Sequence, residues 1–321
     1  MTTGLIVGKF DPPHLGHSLL IDVARAHVSR LIVQLWDYPG QHTPAALRAR
    51  WMCELFPEIE VSVVPDDPDV ATDDMAAQAR HARRFLGDAA VDVLFSSEAY
   101  GEVLAQELGV RHYNVDRARQ FIPVTGTMIR RDPLAHEQWL EPVVRAHFIK
   151  RICVIGSEST GKTSLCERLA RHYATSWVPE YGREYSLVKV RQGQLGRWIA
   201  DEFFHIAREQ QRREDEAARS ANKLLFCDTD AFATEIWYER YLQHEPRTWP
   251  QIDNKIALYL IPFPDVPFVA DEIRDGEHMR YWMYERMMSE LTRRGKPFVV
   301  LQGGYDERDV QAIAAVDALI G

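Results

Sequence analysis

Two short segments of the 321-residue sequence combine glycine with polar side chains in spacings that suit phosphate binding. The first, GKFDPPHLGH at residues 8–17, ends in His14, Gly16 and His17 and directly follows an apolar run. A helix N-terminus offers free backbone N–H groups, and two imidazoles there add donors for a triphosphate whose α-phosphorus gains charge during in-line attack. We therefore predict that His14 and His17 are catalytic and that Gly16 lets the backbone approach the phosphates.

The second segment, GSESTGKT at residues 156–163, matches the P-loop pattern G-x-x-x-x-G-K-[ST]. It follows RICVI, a predicted strand, and precedes a predicted helix, which is the context that such a loop requires. Lys162 should reach the β- and γ-phosphates of ATP, and the Thr163 hydroxyl should bind Mg²⁺. The predicted ATP-binding residues here are Gly156, Ser157, Glu158, Ser159, Thr160, Gly161, Lys162, Thr163 and Ser164.

A P-loop enzyme also needs a carboxylate near the metal, and LLFCDTD supplies two after an apolar run. Asp228 or Asp230 would bind Mg²⁺ or accept the proton of the substrate hydroxyl, and the sequence does not distinguish them. Asp228 is our candidate metal ligand beside Thr163. Capping of the helix that follows is the alternative role for either aspartate.

A second polar segment in the first half, PVTGTMIR at residues 123–130, begins a predicted helix. Its hydroxyls, free N–H groups and guanidinium would form a second clamp on the phosphates bound by the histidines. The residues concerned are Thr125, Gly126, Thr127 and Arg130. Together with the HLGH segment, this pattern is typical of a nucleotidylyltransferase.

Regular alternation of strands and helices must position these segments. Short apolar runs alternate with helical patterns in the first half, and the alternation restarts at Arg151. This predicts an α/β protein with two doubly wound parallel-sheet domains, at residues 1–148 and 149–321. We expect further helical segments at residues 137–147, interrupted by Pro142, and at residues 194–222.

The composition, 46% hydrophobic and 26% charged, is that of a soluble globular protein. No apolar run is long enough to cross a bilayer, so we expect a cytoplasmic protein without membrane insertion. A net charge of −9 argues against general nucleic-acid binding. The four cysteines are scattered without a C-x-x-C pair, which indicates buried thiols rather than metal or redox chemistry.

These motifs, in this order, resemble the bifunctional NadR family, in which a nicotinamide mononucleotide adenylyltransferase is joined to a nicotinamide riboside kinase. SSEAYG at residues 96–101 and DRARQFIPVTGTMIR at residues 116–130 are similar to the family's fourth-strand segment and ATP-clamping signature. WVPEYGREY at residues 177–185 and PDVPFVADEIRDGE at residues 264–277 resemble the kinase's substrate segment and lid. The chain opens directly on its first strand, without the helix-turn-helix of some members, so we expect no repressor role.

The resemblance implies a Rossmann-like nucleotidylyltransferase domain followed by a P-loop nucleoside kinase domain. The kinase would convert nicotinamide riboside to the mononucleotide, and the transferase would join the mononucleotide to AMP from a second ATP, giving NAD and pyrophosphate. ATP would be a co-substrate at both sites, with Mg²⁺ at the kinase site. The partners would be nicotinamide riboside and nicotinamide mononucleotide, without nucleic acid, and an oligomer stays open. Thr125 stands where a serine is more usual, and Glu272 where we expect glycine.

The resemblance also implies roles for individual residues. Gly8, Lys9 and Phe10 would line the ATP site of the transferase, while Arg274 and Arg280 are candidate lid cations of the kinase. Trp36 would stack on the pyridinium ring or simply be buried. The riboside pocket would contain Glu180, Tyr181, Arg183 and Asp271, although a surface strand end is the alternative for the first three.

Two other functions remain open at this stage. The same folds would serve a kinase for another nucleoside, or a transferase for nicotinic acid mononucleotide. A different class is a nucleotide-sensing regulator whose N-terminal half binds ATP without turning it over.

Overall fold

The computed structural model describes residues 1–71, 73–194, 196–250, 252 and 255–320. The chain divides into two compact units, Met1–Arg145 and Ala146–Gly321. Each unit contains one five-stranded sheet whose strands pair in parallel. This confirms the predicted fold class of two α/β domains.

Strands and helices alternate along the first unit. Its elements are β1 (Thr3–Gly8), α1 (Leu15–His27), β2 (Arg30–Asp37), α2 (Ala45–Leu55), β3 (Glu60–Pro65), α3 (Met75–Arg84), β4 (Val93–Ser96), α4 (Gly101–Leu108), β5 (Arg111–Asn114), α5 (Gly126–Arg131), a 3₁₀ turn (Glu137–Trp139) and α6 (Pro142–Arg145). The strand order is β3-β2-β1-β4-β5. The chain therefore changes direction across the sheet at β1, and the segment at residues 8–17 leaves the carboxyl end of that strand.

The second unit repeats the plan. Its elements are β6 (Lys150–Val154), α7 (Lys162–His172), β7 (Ser176–Val178), α8 (Tyr181–Arg191), α9 (Ala200–Ala218), β8 (Leu224–Asp228), α10 (Ala231–Leu242), β9 (Ile256–Pro262), a 3₁₀ turn (Glu277–Met279), α11 (Arg280–Arg293), β10 (Phe298–Leu301) and α12 (Tyr305–Ile320). The order β10-β9-β6-β8-β7 again places the first strand in the middle. The P-loop follows β6, so both phosphate segments lie at the switch point where open parallel sheets bind ligands.

Alternate residues of the central strand serve the two faces of the first sheet. Ile6 packs with buried residues of α1 and α2, whereas its neighbour Leu5 packs with those of α3 and α4. This follows from the two-residue period of a strand, which sends successive side chains to opposite faces. Helices thus cover both faces of β1, whose carboxyl end leads into the loop that bears the histidines.

Two predicted helical segments are shorter than we expected. Residues 137–147 form only the 3₁₀ turn and α6, because Pro142 cannot continue a preceding helix. α9 occupies residues 200–218 of the segment expected at 194–222. Among the described helices, none combines the length and the apolar character that crossing a membrane requires.

Candidate active sites

The two histidines of the first unit cap α1 and fix each other. His14 is the N-cap residue, and its Nδ1 accepts the backbone N–H of Gly16 at 3.2 Å. In return, the backbone N–H of His14 donates to Nδ1 of His17 at 3.2 Å. Because both Nδ1 atoms accept, the neutral tautomers carry their hydrogen on Nε2. Both rings therefore offer an Nε2–H donor, with their centroids 3.8 Å apart.

Burial and nearby cations keep this pair uncharged. Desolvation, together with the charges of Arg119 and Arg130, lowers the pKa of His14 to about 4. Desolvation also holds the pKa of His17 well below its usual range, with added effects from His14 and Arg119. At neutral pH the pair can therefore act as hydrogen-bond donors without being general acids.

Arg130 joins the two phosphate segments of the first unit. One guanidinium nitrogen donates to the Asp11 carbonyl at 2.6 Å and the other to Thr127 Oγ1 at 3.0 Å. Thr125 caps α5 by accepting the Met128 N–H at 3.1 Å. A Cβ at Gly126 would come within 2.9 Å of the Arg130 guanidinium, so a larger residue there would displace that group.

Arg119 is a residue of this site that our sequence analysis did not single out. It donates to the Val124 carbonyl at 2.7 Å and to Glu98 at 2.6 Å, and its charge lowers the pKa of both histidines. Its backbone has a φ of +51°, which is uncommon for a residue other than glycine. The segment DRAR contains two arginines, and only the folded loop distinguishes the one near the histidines.

The other predicted residues of the first unit support the loop. Phe10 is buried and packs 4.8 Å from the ring of His17, and a Cβ at Gly8 would meet the Phe10 ring at 3.0 Å. Lys9 Nζ lies 4.8 Å from the centre of the Tyr38 ring. The fully buried Arg48 donates a hydrogen bond to the backbone carbonyl of Lys9 and so supports the loop.

Trp36 is buried in the structure. Only 3% of its surface is exposed, its indole N–H donates to Gln34 Oε1 at 3.4 Å, and His81 packs edge-on at 5.2 Å. The ring lies at the carboxyl ends of β2 and β3 beside Tyr38. Stacking on a ligand would need these neighbours to move apart.

The P-loop of the second unit leads into α7 through a glycine in the left-handed conformation. Gly161 adopts a φ of +84°, and a Cβ there would lie 2.8 Å from the ring of Tyr305. Lys162 is buried, with Nζ donating to the Ser157 carbonyl at 3.0 Å. The Lys162 side chain thus folds over its own loop. With ATP bound, its ammonium group would donate hydrogen bonds to the β- and γ-phosphates instead.

Thr163 and Asp228 form a site that fits a hard divalent cation. The Thr163 hydroxyl donates to Asp228 Oδ2 at 2.5 Å, while Oδ1 is buried and has no hydrogen-bond partner among the described residues. Burial raises the pKa of Asp228, and the charge of Lys162 opposes that rise. Among the residues that the structure describes, no cluster of three His, Cys, Asp or Glu side chains forms a metal site. Mg²⁺ needs no such cluster, since it binds through one or two protein oxygens plus phosphates and water.

Asp230 lies away from the P-loop. It caps α10, with Oδ1 accepting the Ala233 N–H at 2.9 Å, while Oδ2 accepts the Tyr259 hydroxyl at 2.7 Å. Its side chain lines a separate small cavity that Glu214 also lines. The structure therefore commits both Asp230 oxygens to structural hydrogen bonds and brings only Asp228 to the P-loop.

A cavity of about 140 Å³ opens beside the P-loop. Its lining includes residues 158–164, Glu180 and Arg183. Four aromatic side chains complete it, and our sequence analysis named none of them: Trp198, Phe203, Trp237 and Tyr241. They come from α9, α10 and the segment before α9, so no local sequence pattern predicts that they line the same cavity.

Glu180 and Arg183 stand at the start of α8. Desolvation raises the pKa of Glu180 to about 7, with the charge of Lys162 opposing and that of Asp228 adding to the shift. Arg183 donates to Asp271 at 2.7 Å. Tyr181 is not part of the cavity wall, and its hydroxyl lies 3.1 Å from His205 Nε2.

The two predicted lid cations have different environments. Arg274 lines the cavity and donates to the Val269 carbonyl at 3.3 Å. Arg280 is buried at the start of α11, donates to the Val266 carbonyl at 3.0 Å and does not line the cavity. Of these two arginines, Arg274 is therefore the one positioned to meet a ligand in the cavity.

Comparison with known proteins gives both units a family. Residues 5–132 match the cytidylyltransferase-like family, and residues 151–308 match the AAA domain family. Two curated relatives, the trifunctional NAD biosynthesis/regulator protein NadR of Escherichia coli and that of Salmonella typhimurium, are each 26% identical. The alignments cover 100% and 99% of this chain, and 84% and 83% of those proteins.

Solved structures agree in fold. A crystal structure of NadR protein in complex with NR superposes with a TM-score of 0.77 at 24% identity, covering 99% of this chain and 96% of that one. A second, in complex with NAD and AMP-PNP, gives 0.75 over the same shares. The chain therefore belongs to the NadR family, with a cytidylyltransferase-like domain followed by an AAA-type P-loop kinase domain.

Proposed function

We propose that the second unit is a nicotinamide riboside kinase and the first a nicotinamide mononucleotide adenylyltransferase, acting in series to make NAD. The observation that carries the proposal is the cavity beside the P-loop, where phosphate-directed groups meet a carboxylate and an aromatic wall. The relatives support it, since one NadR structure holds NR and another holds NAD with AMP-PNP.

In the kinase, the P-loop would hold the triphosphate of ATP with Lys162 on the β- and γ-phosphates. Thr163 and Asp228 would hold Mg²⁺, which neutralises phosphate charge when bound. Glu180 is our candidate for the base that accepts the 5′-hydroxyl proton, because its pKa of about 7 suits proton transfer at neutral pH. The hydroxyl oxygen then bonds to the γ-phosphorus as the bond to the β-phosphate oxygen breaks.

The aromatic wall favours a nucleoside with a flat, cationic base. Trp198 and Tyr241 lie with ring centroids 5.2 Å apart at the cavity, and Phe203 packs 5.0 Å from Trp198. Aromatic faces attract cations, and a nicotinamide ring joined to ribose carries a positive charge. Arg183, Asp271 and Arg274 would then close the other side around the ribose and the migrating phosphate.

In the transferase, the phosphate of the mononucleotide would attack the α-phosphorus of ATP and expel pyrophosphate. The Nε2–H groups of His14 and His17 would stabilise the charge that builds at that phosphorus and on the leaving group. Arg130, Thr127 and Arg119 would bind the β- and γ-phosphates. No covalent intermediate is needed, because orientation and charge stabilisation suffice for direct displacement.

A product assay tests both steps together. The protein is incubated with nicotinamide riboside and Mg-ATP, and the mononucleotide, NAD and pyrophosphate are followed over time. The proposal predicts that the mononucleotide appears first and NAD later, with one pyrophosphate per NAD. Accumulation of the mononucleotide without NAD or pyrophosphate would leave a kinase and refute the adenylyltransferase.

A further inference from the structure

We propose that Arg240 is a positioning residue of the kinase, which holds the lid segment, residues 264–277, against the P-loop. The inference rests on the proposed kinase reaction. It arises from one buried side chain that touches the P-loop, the lid segment and the aromatic wall of the cavity.

The contact with the P-loop is a buried ion pair. Arg240 stands in the last turn of α10 and donates to Glu158 Oε1 at 3.0 Å, and only 6% and 10% of these two side chains are exposed. Glu158 occupies one of the variable positions of the P-loop motif. The pair is therefore shielded from solvent, and a buried ion pair is screened much less by salt than an exposed one.

The same groups bind the lid segment. The second oxygen of Glu158 accepts the Gly276 N–H at 2.8 Å, and Arg240 donates to Asp275 at 2.5 Å. A Cβ at Gly276 would come within 2.4 Å of the Arg240 guanidinium, so the backbone approaches too closely for any other residue without displacement. A further bond runs from Val269 N–H to Ser159 Oγ at 2.8 Å. Two adjacent P-loop side chains thus hold two points of the lid segment.

The guanidinium also supports the cavity wall. It lies 4.9 Å from the centre of the Trp237 ring and 4.8 Å from that of Tyr241, and both rings line the cavity. Arg240 itself does not line the cavity, so it acts through its neighbours and not by touching substrate. A planar guanidinium can bridge two carboxylates and stack on rings at once, which an ammonium cannot.

The positions that Arg240 fixes are those that the reaction uses. Arg274, two residues before Gly276, faces the cavity, and Glu158 borders the triphosphate site. Loss of Arg240 would leave Glu158 buried without its counter-charge, and the carboxylate that accepts the Gly276 N–H would lose the group that holds it in place. The exposed contact with Asp275, whose side chain is 71% exposed, should contribute much less.

The test compares R240A and R240K with D275N and with R212A, an exposed control on α9 whose guanidinium pairs with Glu209 three residues away. We expect kcat/KM for riboside phosphorylation to fall about 10²-fold in R240A and about tenfold in R240K. D275N and R212A should remain within about twofold of the wild type. NAD synthesis from the mononucleotide should persist in all four variants because the first unit carries it, and hydrogen exchange at β6 and β8 reports that the second unit is folded. If R240A does not fold, kcat/KM of R240K alone tests the proposal, and a value equal to that of the wild type overturns it.

Hydrogen exchange separates the positioning role from a general loss of stability. In the wild type, AMP-PNP with Mg²⁺ should slow exchange at residues 264–277, and in R240A and R240K this protection should be lost while β6 and β8 stay protected. Unchanged kcat/KM in R240A, or lid protection equal to that of the wild type, would overturn the proposal. If the wild type fails to phosphorylate nicotinamide riboside, the substrate is wrong, and exchange with AMP-PNP still tests Arg240.

Discussion

Replacing His14 with asparagine separates the two tasks that this residue performs. The imidazole caps α1 through Nδ1 and would donate to the reacting phosphates through Nε2. Asparagine is among the best N-cap residues, so His14→Asn should keep the Gly16 bond and stay within about 0.5 kcal/mol of the wild type in free energy of unfolding. It cannot reach as far as Nε2, and losing one such donor typically costs about 10²–10³-fold in rate.

The assay is NAD formation from the mononucleotide and Mg-ATP, with urea unfolding of the same preparations. His14→Ala is the matched control: it should lose the same rate and, in addition, about 1 kcal/mol of stability, because it lacks any cap. Riboside phosphorylation should continue in both variants. A His14→Asn protein that makes NAD at more than a third of the wild-type rate would refute the donor role of Nε2.

Three further predictions concern the second unit. Lys162→Ala should abolish riboside phosphorylation and leave NAD synthesis from the mononucleotide intact; loss of both activities in a folded protein would contradict two independent sites. Wild-type kinase activity should rise with pH around 7 as Glu180 ionises, and Glu180→Gln should lose that rise and about 10²–10⁴-fold in rate. Burial raises the pKa of Glu214 to about 8 from an ordinary value of 4.5, so the folded chain binds a proton that the unfolded chain releases. Glu214 should therefore contribute a fall of about 1.4 kcal/mol per pH unit to the free energy of unfolding between about pH 5 and pH 8. In urea unfolding, the Glu214→Gln variant should gain stability relative to the wild type by that amount per pH unit, whereas the exposed Glu216→Gln should follow the wild-type pH dependence.

The sequence predicted the parts of the fold and sites that are encoded locally. Apolar runs alternating with helical patterns indicate parallel sheets, and both phosphate segments are contiguous, so their glycines and donors can be read in order. The placement of His14 at an N-cap and of Thr163 at a helix start follows from those segments alone. Such features depend on neighbours in sequence, which one chain displays directly.

Features that depend on packing could not be predicted in this way. The aromatic wall joins residues of two helices and a preceding segment, and Arg240 meets Glu158 across 82 positions of sequence. Asp228 and Asp230 are equivalent as strand-end carboxylates, and only the Tyr259 hydroxyl and the cap of α10 distinguish them. Arg280 matches a lid cation in type and position, yet the start of α11 turns it toward a backbone carbonyl.

Each unit should bind a triphosphate at the junction between its first strand and the helix that follows. The most direct test is a crystal structure of the protein with AMP-PNP and Mg²⁺. We predict one nucleotide whose phosphates lie within hydrogen-bond distance of Nε2 of His14 and His17, and a second whose phosphates contact Lys162 and the backbone of residues 156–163. A nucleotide-saturated crystal with no density at either junction, or with phosphates bound elsewhere on the unit, would contradict the account.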